Sequence, residues 1–285
     1  MTRSVLSPEA VSALAAEVKV GLLATLDRER RPHLSLITTL QARSPTQLVW
    51  GQFCEGLSKA HVLDDPRTAF LVMSLSRDLW RGQATWTHRV TEGEDYVRFN
   101  QLSLFRYNSY FGIHTVHYMD VSSCSEKERL PLPGMIAGSL PLLAGARLRG
   151  IWPCRAPDEP RLNEWTRKHL SRIDTLKFLA YVSENGYPAI VPGIPAMPCS
   201  SSQIRIAPTV HRGEILAIPR GAQVALFALN LEMESVLIRG AYSPPDGARL
   251  TGGIEVEWVY NSMPPLPGQV YPPEPLRPVR DFLVP

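Results

Sequence analysis

The segment Gln47–Ser74 predicts a strand, a turn, a short helix and a second strand in direct succession. Gln47–Phe53 is apolar with a partial two-residue alternation, which is typical of a half-buried strand. Leu57–Leu63 has the apolar spacing of a helix, and Pro66 ends that helix because proline disfavours a helical residue before it. Thr68–Met73 then resumes as a buried strand. The other predicted elements are arranged around this unit.

Two polar residues, Ser58 and Lys59, fall at the exposed first turn of the predicted helix. A hydroxyl and an ammonium beside the free backbone N–H groups of a helix N-terminus form a cradle for an anion. Spacing alone does not separate this interpretation from a solvated Ser-Lys pair on an amphipathic helix.

The rest of the first half predicts a β-meander whose turn signals are spaced as in an all-β barrel. A helix begins at Pro8, with Ser7 as its N-cap. The other elements expected here are strands over Val20–Leu26, His33–Gln41, Leu79–Val90 and Ile113–Val121 and a helix over Glu92–Leu104.

The same order of elements recurs at an offset of 156 residues, which places Pro32 on Pro188 and Ala69 on Ala225. A two-residue insertion then aligns Arg81-Gly82 with Arg239-Gly240. The strands expected in the second half are Leu176–Ser183, Pro188–Pro195, Gln203–Pro208, Gln223–Leu229, Ser235–Tyr242 and Gly252–Tyr260. The fold class is therefore mostly β, as two tandem β-barrels with peripheral helices.

A segment rich in proline and glycine separates the two halves, and a second one ends the chain. A long stretch of this kind favours two domains over one compact domain. The expected division is a first barrel over residues 1–125, a linker over 126–162, a second, degenerate barrel over 163–262 and a proline-rich tail over 263–285.

Charge and cysteine content exclude several classes of protein. Lys and Arg number 30 against 27 Asp and Glu, a net charge of +3, which is too small to indicate nucleic acid as a partner. The four cysteines lie far apart without a metal-binding pattern, so reduced, metal-free cysteines are expected. No apolar stretch is long enough for a membrane span, and a cytoplasmic protein is expected.

The run GLSKAHVLDDPRTAF resembles the S-R-K-A-H…N-P-R segment of pyridoxamine 5′-phosphate oxidase and of the wider FMN-binding split-barrel family. The likeness is best over Val20–Val90. It implies a split barrel, a bound FMN and an oxidoreductase acting on a small organic substrate. Members of that family usually dimerise and build two flavin sites at the interface. A tandem chain would then form a pseudo-dimer by itself, which leaves further pairing into a homodimer open.

Carried over position by position, the resemblance implies a set of flavin-binding residues. Ser35 stands where the oxidases have a phosphate-binding arginine, and Leu40 where they have a lysine, so positive charge is missing. Trp50-Gly51 stands at an aromatic-then-threonine position, where the ring edge would meet backbone groups. The expected cofactor-binding residues are Ser35, Thr38, Thr39, Trp50, Gly51, Ser58 and Lys59.

The second half has His211–Ile215 in place of the Ser-Lys pair, so one functional flavin site is expected. His211 and Arg212 remain candidates for a second anion contact. No catalytic motif is present, and the catalytic residues are unknown. The side chains of Tyr107, Tyr110, Phe111 and His114 either line a substrate face or belong to the core.

Two questions stay open at this point. The ligand is FMN, haem or the deazaflavin F420. The protein is an enzyme, or it is a non-catalytic binding or sensing protein on the same fold. Two histidines and a cysteine, His114, His117 and Cys124, are close in sequence, but residues three apart on a strand point to opposite faces, so no metal site is expected.

Overall fold

A computed structural model describes residues 5–53, 56–101, 112–147, 159–245, 251–261 and 268–274. Within these ranges the chain forms two antiparallel sheets of eight strands each. The predicted fold class, mostly β with peripheral helices, is confirmed. The sheets are open rather than closed, because the strands at the two ends of each sheet do not pair with each other.

The first sheet has the strand order β2-β1-β5-β6-β7-β4-β3, and β8 pairs with β6 beside this path. Apolar residues on both faces of β1 explain its place between β2 and β5, since Leu23 packs on one side and Leu22 on the other. The strands are β1 Val20–Leu26, β2 Pro32–Leu36, β3 Gln41–Ser44, β4 Gln47–Gln52, β5 Arg67–Met73, β6 Asp78–Val90, β7 Thr115–Cys124 and β8 Glu128–Arg129.

The second sheet has the order β10-β9-β13-β14-β15-β12-β11, with β16 paired to β15. Its first seven strands therefore occupy the same places as the first seven strands of the other sheet. The strands are β9 Leu176–Val182, β10 Pro188–Pro192, β11 Ala196–Pro198, β12 Gln203–Ile206, β13 Gln223–Leu229, β14 Ser235–Ser243, β15 Gly252–Asn261 and β16 Gly268–Tyr271.

The strand register agrees with the 156-residue offset but not with the two-residue insertion expected from the sequence. Leu22 pairs with Leu71 in one sheet, and Phe178 pairs with Phe227 in the other. Gly82 lies opposite Phe70, and the residue in the same place of the second sheet is Ile238, opposite Leu226. The sequence alignment of Arg81-Gly82 with Arg239-Gly240 is therefore wrong by two residues, because a matching dipeptide outweighed the continuous offset.

The helices lie at the edges of the sheets, and their bounds are α1 Pro8–Ala15, α2 Leu57–Asp64, α3 Glu94–Gln101, α4 Leu132–Arg147, α5 Glu164–Ser171 and α6 Arg212–Ala217. The Ser7 side chain caps α1 by accepting the N–H of Ala10 at 3.1 Å. The helix expected over 92–104 is shorter within the described residues. The proline-rich segment between the halves is not a plain linker, since α4 occupies sixteen residues of it.

The two halves share one apolar core. Leu22, Leu34 and Leu71 from the first sheet pack in the same buried cluster as Phe178 and Phe227 from the second. Each sheet also has a core of its own on its other face. Burial on both faces makes the central strands apolar throughout, and it fixes how the sheets meet.

Two further observations concern expectations from composition. Cys199 is disulfide-bonded, whereas Cys124 is a buried free thiol. The expectation that all four cysteines are reduced is therefore wrong for Cys199, since sequence spacing does not report distance in the fold. In the described part of the chain, no helix has the length and apolarity needed to cross a bilayer.

We expect Phe178→Ala to destabilise the whole protein, because its fully buried side chain packs in the shared core. The loss should be about 3–5 kcal/mol of unfolding free energy. Leu231→Ala is the control, since Leu231 is 94% exposed. Urea unfolding followed by circular dichroism and by tryptophan fluorescence should show one transition for both probes. Two separate transitions, with only the second half weakened, would contradict a shared core.

Candidate functional site

A pair of hydroxyl groups joins α2 to the first sheet. The Oγ atoms of Ser35 on β2 and Ser58 in the first turn of α2 lie 2.7 Å apart, and Ser58 is buried. Gly56 is the N-cap of α2 and makes no side-chain cap. The N–H groups of the first turn therefore have no cap from the usual position, and such N–H groups favour an anion.

Lys59 adds a cation to the same first turn of α2. Its side chain is half-buried and folds back over Gly56. Among the residues that the structure describes, no carboxylate makes an ion pair with it. Its charge reaches the interior, because it contributes to lowering the pKa of both His33 and His117, where burial is the largest cause. The site thus carries positive potential.

Buried polar side chains continue from this point along α2 and β2. His61 lies one turn beyond Ser58, and its Nδ1 lies 3.1 Å from the Thr25 hydroxyl. The ring of His61 meets the ring of His33 edge-on, with centroids 5.1 Å apart. Burial lowers the pKa of His61 and puts the pKa of His33 well below its usual value. Both rings are therefore neutral near pH 7.

The second half contributes to the same seam. The ring of Trp258 lies 6.1 Å from His33, and the Arg239 guanidinium lies 4.1 Å from the centre of the Trp258 ring. Arg239 Nη1 also donates to Asp27 Oδ2 at 3.1 Å. We call the group Ser35, Ser58, His61, His33, Trp258 and Arg239 the polar seam. It runs from the start of α2 to the second sheet.

The residues expected at the flavin ring are engaged with each other. The Thr39 hydroxyl donates to the Gly51 carbonyl at 2.8 Å and accepts the Gly51 N–H at 3.1 Å. A Cβ on Gly51 would collide with the Ile113 side chain, so the close approach that this glycine permits is made by the protein itself. Neither backbone group of Gly51 is open to a ring edge.

Trp50 is a core residue. Its indole is fully buried and stacks on His117 with ring centroids 3.8 Å apart. His117 in turn bonds the Gln52 side chain through Nε2 at 2.9 Å. Thr38 differs from these residues, because it lies half-buried in the turn after β2. Of the seven candidate residues, Ser35 and Ser58 are in contact and Lys59 follows Ser58 in the same helical turn. Thr39 and Gly51 bond each other, and Trp50 stacks on His117.

The corresponding place in the second half is filled by charged side chains. Arg81 of the first half makes two bonds to the carboxylate of Glu214 in α6, at 2.7 and 2.8 Å. His211 Nδ1 lies 3.3 Å from the same carboxylate. Burial alone would raise the pKa of Glu214, but its hydrogen bonds with His211 and Arg81 lower that pKa to about 2. His211 is therefore engaged with Glu214, and only Arg212 of the two second-half candidates is exposed.

Three of the side chains proposed for a substrate face, Tyr107, Tyr110 and Phe111, lie outside the described residues. His114 is exposed, and its Nδ1 lies 2.8 Å from the Thr115 hydroxyl. Sequence analysis missed His33, His61, Arg239 and Trp258. Two signals in the sequence indicate the first two: His33 alternates with Ser35 on β2, and His61 lies three residues after Ser58 on α2.

No family model matches the chain, and no curated protein matches it. Among solved structures, it is similar to an FMN-binding protein from Syntrophomonas wolfei subsp. wolfei, with 17% identity, a TM-score of 0.36 and coverage of 41% of this chain and 82% of that one. A FAD-binding protein from Mesorhizobium loti matches with 15% identity, a TM-score of 0.30 and coverage of 44% and 96%.

An F420 reductase matches with 14% identity, a TM-score of 0.33 and coverage of 42% and 98%. Each of these proteins corresponds to less than half of the present chain.

The histidines predict a dependence of stability on pH. Burial, helped by Arg89 and Lys59, lowers the pKa of His117 to about 3. An unfolded His117 takes up a proton below about pH 6.5, whereas the folded one stays neutral. Stability should therefore fall as pH decreases from 6.5, by up to about 1.4 kcal/mol per pH unit for each such histidine.

The measurement is the urea midpoint between pH 7.5 and 5 for the wild type and for His117→Gln. We expect a shallower decline in His117→Gln, because one of the groups that protonate on unfolding is gone. An identical pH dependence in both proteins would show that His117 is not held neutral by the fold. His88→Gln is the control, since His88 lies at the exposed end of β6.

Proposed function

We propose that the protein binds FMN with its phosphate at the start of α2 and acts as an oxidoreductase on a small organic substrate. The observation that carries this proposal is the convergence of Ser35, Ser58 and Lys59. Two hydroxyls, uncapped N–H groups and a cation without an acidic partner among the described residues suit a phosphate dianion.

The residues fit the two ends of FMN differently. At the phosphate end, Ser35 and Ser58 replace part of the positive charge of the oxidases with hydroxyl donors, and Lys59 is the remaining cation. At the ring end, the contacts expected from Trp50 and Gly51 are taken by His117, Thr39 and Ile113. We therefore assign phosphate binding to Ser35, Ser58 and Lys59. The hydroxyl of Thr38, in the turn after β2, is a further candidate contact.

The proposal includes one ligand site per chain. In the first half the helix start presents Ser58, whereas in the second half α6 presents Glu214. The bidentate pair of Glu214 with Arg81 puts a carboxylate where an incoming phosphate would need a free cation. Arg81 also donates to Glu128 through Nε at 2.9 Å and to the Ile190 carbonyl at 3.0 Å. Its N–H groups are therefore taken, and we infer that the second site is closed to FMN.

We also propose that the chain is a tandem repeat acting as its own dimer. The same strand order in both sheets, the constant offset of 156 residues and the shared apolar core support this. Flavin would supply the hydride chemistry when bound, and the protein would position it and exclude water. The residues of the polar seam would then line the space between the two halves, with some contributed by each half.

A second candidate function is non-catalytic binding of flavin, haem or F420, as in a sensing protein. The closed contact of Thr39 with Gly51 favours it, because an enzyme needs an open face beside the reacting ring. The two candidates differ in how fast the bound flavin is reduced. In an oxidoreductase, NADH or NADPH reduces the flavin within one turnover, whereas in a sensing protein it does not. Stopped-flow absorbance after FMN loading separates them.

We expect Lys59→Ala to weaken FMN binding about 10- to 100-fold, since one charge-assisted contact to the phosphate is lost. Lys127→Ala is the matched control, because Lys127 is an exposed lysine whose nearest acid lies 3.8 Å away. The measurement is fluorescence titration of FMN, with riboflavin as a second ligand that lacks the phosphate. Lys59→Ala should leave riboflavin affinity unchanged.

Wild-type protein that gains no flavin signal at all would reject FMN binding. An equal loss of affinity for FMN and for riboflavin in Lys59→Ala would instead mean that Lys59 supports the fold or contacts the flavin ring. A stoichiometry near two FMN per chain would reject the closed second site.

A further inference from the structure

A pocket of about 370 Å³ opens beside the polar seam, on the face of the second sheet that meets the first half. Its lining comes from four neighbouring strands of that sheet and from the first half of the chain. The residues are Gln223 on β13, Arg239 on β14, Trp258 and Glu257 on β15, Gln269 and Pro272 at β16, and Arg31 before β2. This volume suits a small organic molecule.

Two groups in the pocket lack hydrogen-bond partners. The Gln223 Oε1 atom is buried and unpaired. Arg239 bonds Asp27 through Nη1, and within the described residues its Nε and Nη2 have no acceptor. An unpaired buried acceptor costs free energy, so a molecule that satisfies both groups would gain on binding. The pocket thus offers one acceptor and two donors, close to each other on adjacent strands.

In the first sheet, the side chain equivalent to Arg239 is hydrogen-bonded to the opposite half. The unpaired groups are therefore not a general result of how the two halves pack. By register, Gln83 takes the place of Arg239, because each precedes a bulge and pairs with an equivalent alanine. Gln83 is bonded to Ser183 and Asn185 from the opposite half. That side of the seam is filled, and the side with Gln223 and Arg239 is open.

Charge around the pocket argues against an anionic ligand. Asp27 accepts from both Arg31 and Arg239, and Arg31 also pairs with Glu29 at 2.7 Å. The Glu257 carboxylate accepts from Gln223 Nε2 at 3.0 Å. Two guanidiniums therefore face three carboxylates, and a further negative charge would be repelled. The ligand that fits is neutral and polar along one edge.

We propose that this pocket binds a neutral planar heterocycle whose edge carries adjacent C=O and N–H groups, the chemistry of a cyclic amide or imide. The C=O accepts from the free N–H groups of Arg239, and the N–H donates to Gln223 Oε1. Trp258 and Pro272 supply the apolar walls. The buried rings of His33 and His61 separate the pocket from Ser58 and Lys59, so the proposal does not depend on flavin binding.

The probe is uracil, with 1,3-dimethyluracil as an analogue that has no N–H group and benzoate as an anion of similar size. Binding is measured by ¹⁵N chemical-shift titration and saturation-transfer NMR at millimolar concentrations. We expect uracil to bind, and 1,3-dimethyluracil and benzoate to bind at least about tenfold more weakly, because a site built for a polar edge rejects analogues that leave its groups unpaired.

Gln223→Leu should weaken uracil binding about tenfold or more. The matched control is Gln203→Leu, since Gln203 also bonds a β15 glutamate, Glu255, but lies outside the pocket. Lys59→Ala should leave uracil binding unchanged. Variants at Arg239 are avoided because its loss would leave the buried Asp27 carboxylate with one partner fewer.

Four results would overturn the proposal: no uracil binding to folded wild-type protein, equal binding of 1,3-dimethyluracil, preference for benzoate, or equal loss in Gln203→Leu. Displacement of uracil by FMN at one shared site would overturn the separation of this pocket from the α2 site. Failure of FMN to bind, with uracil binding intact, would reject the flavin proposal alone.

Discussion

The apolar core shared by the two sheets determines the rest of the structure. Phe178 and Phe227 pack in the same cluster as Leu22, Leu34 and Leu71. Because β1, β5, β9 and β13 are buried on both faces, the relative position of the halves is fixed by packing rather than by a flexible connection. Every polar group at the edge of that contact is consequently held in place, including those of the polar seam.

The edge of the contact is polar and differs on its two sides. On one side Arg81 crosses to Glu214, and Gln83 crosses to Ser183 and Asn185, so both side chains have partners in the opposite half. On the other side Lys59 has no acid among the described residues, and Gln223 keeps an unpaired oxygen. Unpaired groups in a fixed structure are where a ligand gains most, so both proposals concern the same side of the molecule.

Local sequence predicted the elements well and the site only in part. Strand and helix positions follow from two-residue and helical periodicity, and Ser58 with Lys59 follow from the run that resembles the oxidases. Sequence alone could not separate a cofactor contact from a core contact for Trp50 and Gly51, because an aromatic-glycine pair on a strand suits both equally. Their partners, His117, Thr39 and Ile113, come from other strands, and strand pairing is not visible in a single sequence. Arg239 and Trp258 were missed for the same reason.

The central claim is that the start of α2, and not the corresponding place in α6, holds the phosphate of a bound ligand. The most direct measurement is a crystal structure of the protein grown with FMN. The account predicts one FMN per chain, with its phosphate within hydrogen-bond distance of Lys59 Nζ and Ser58 Oγ. A phosphate beside Arg81, with the Glu214 pair broken, or a flavin bound away from α2 would contradict it.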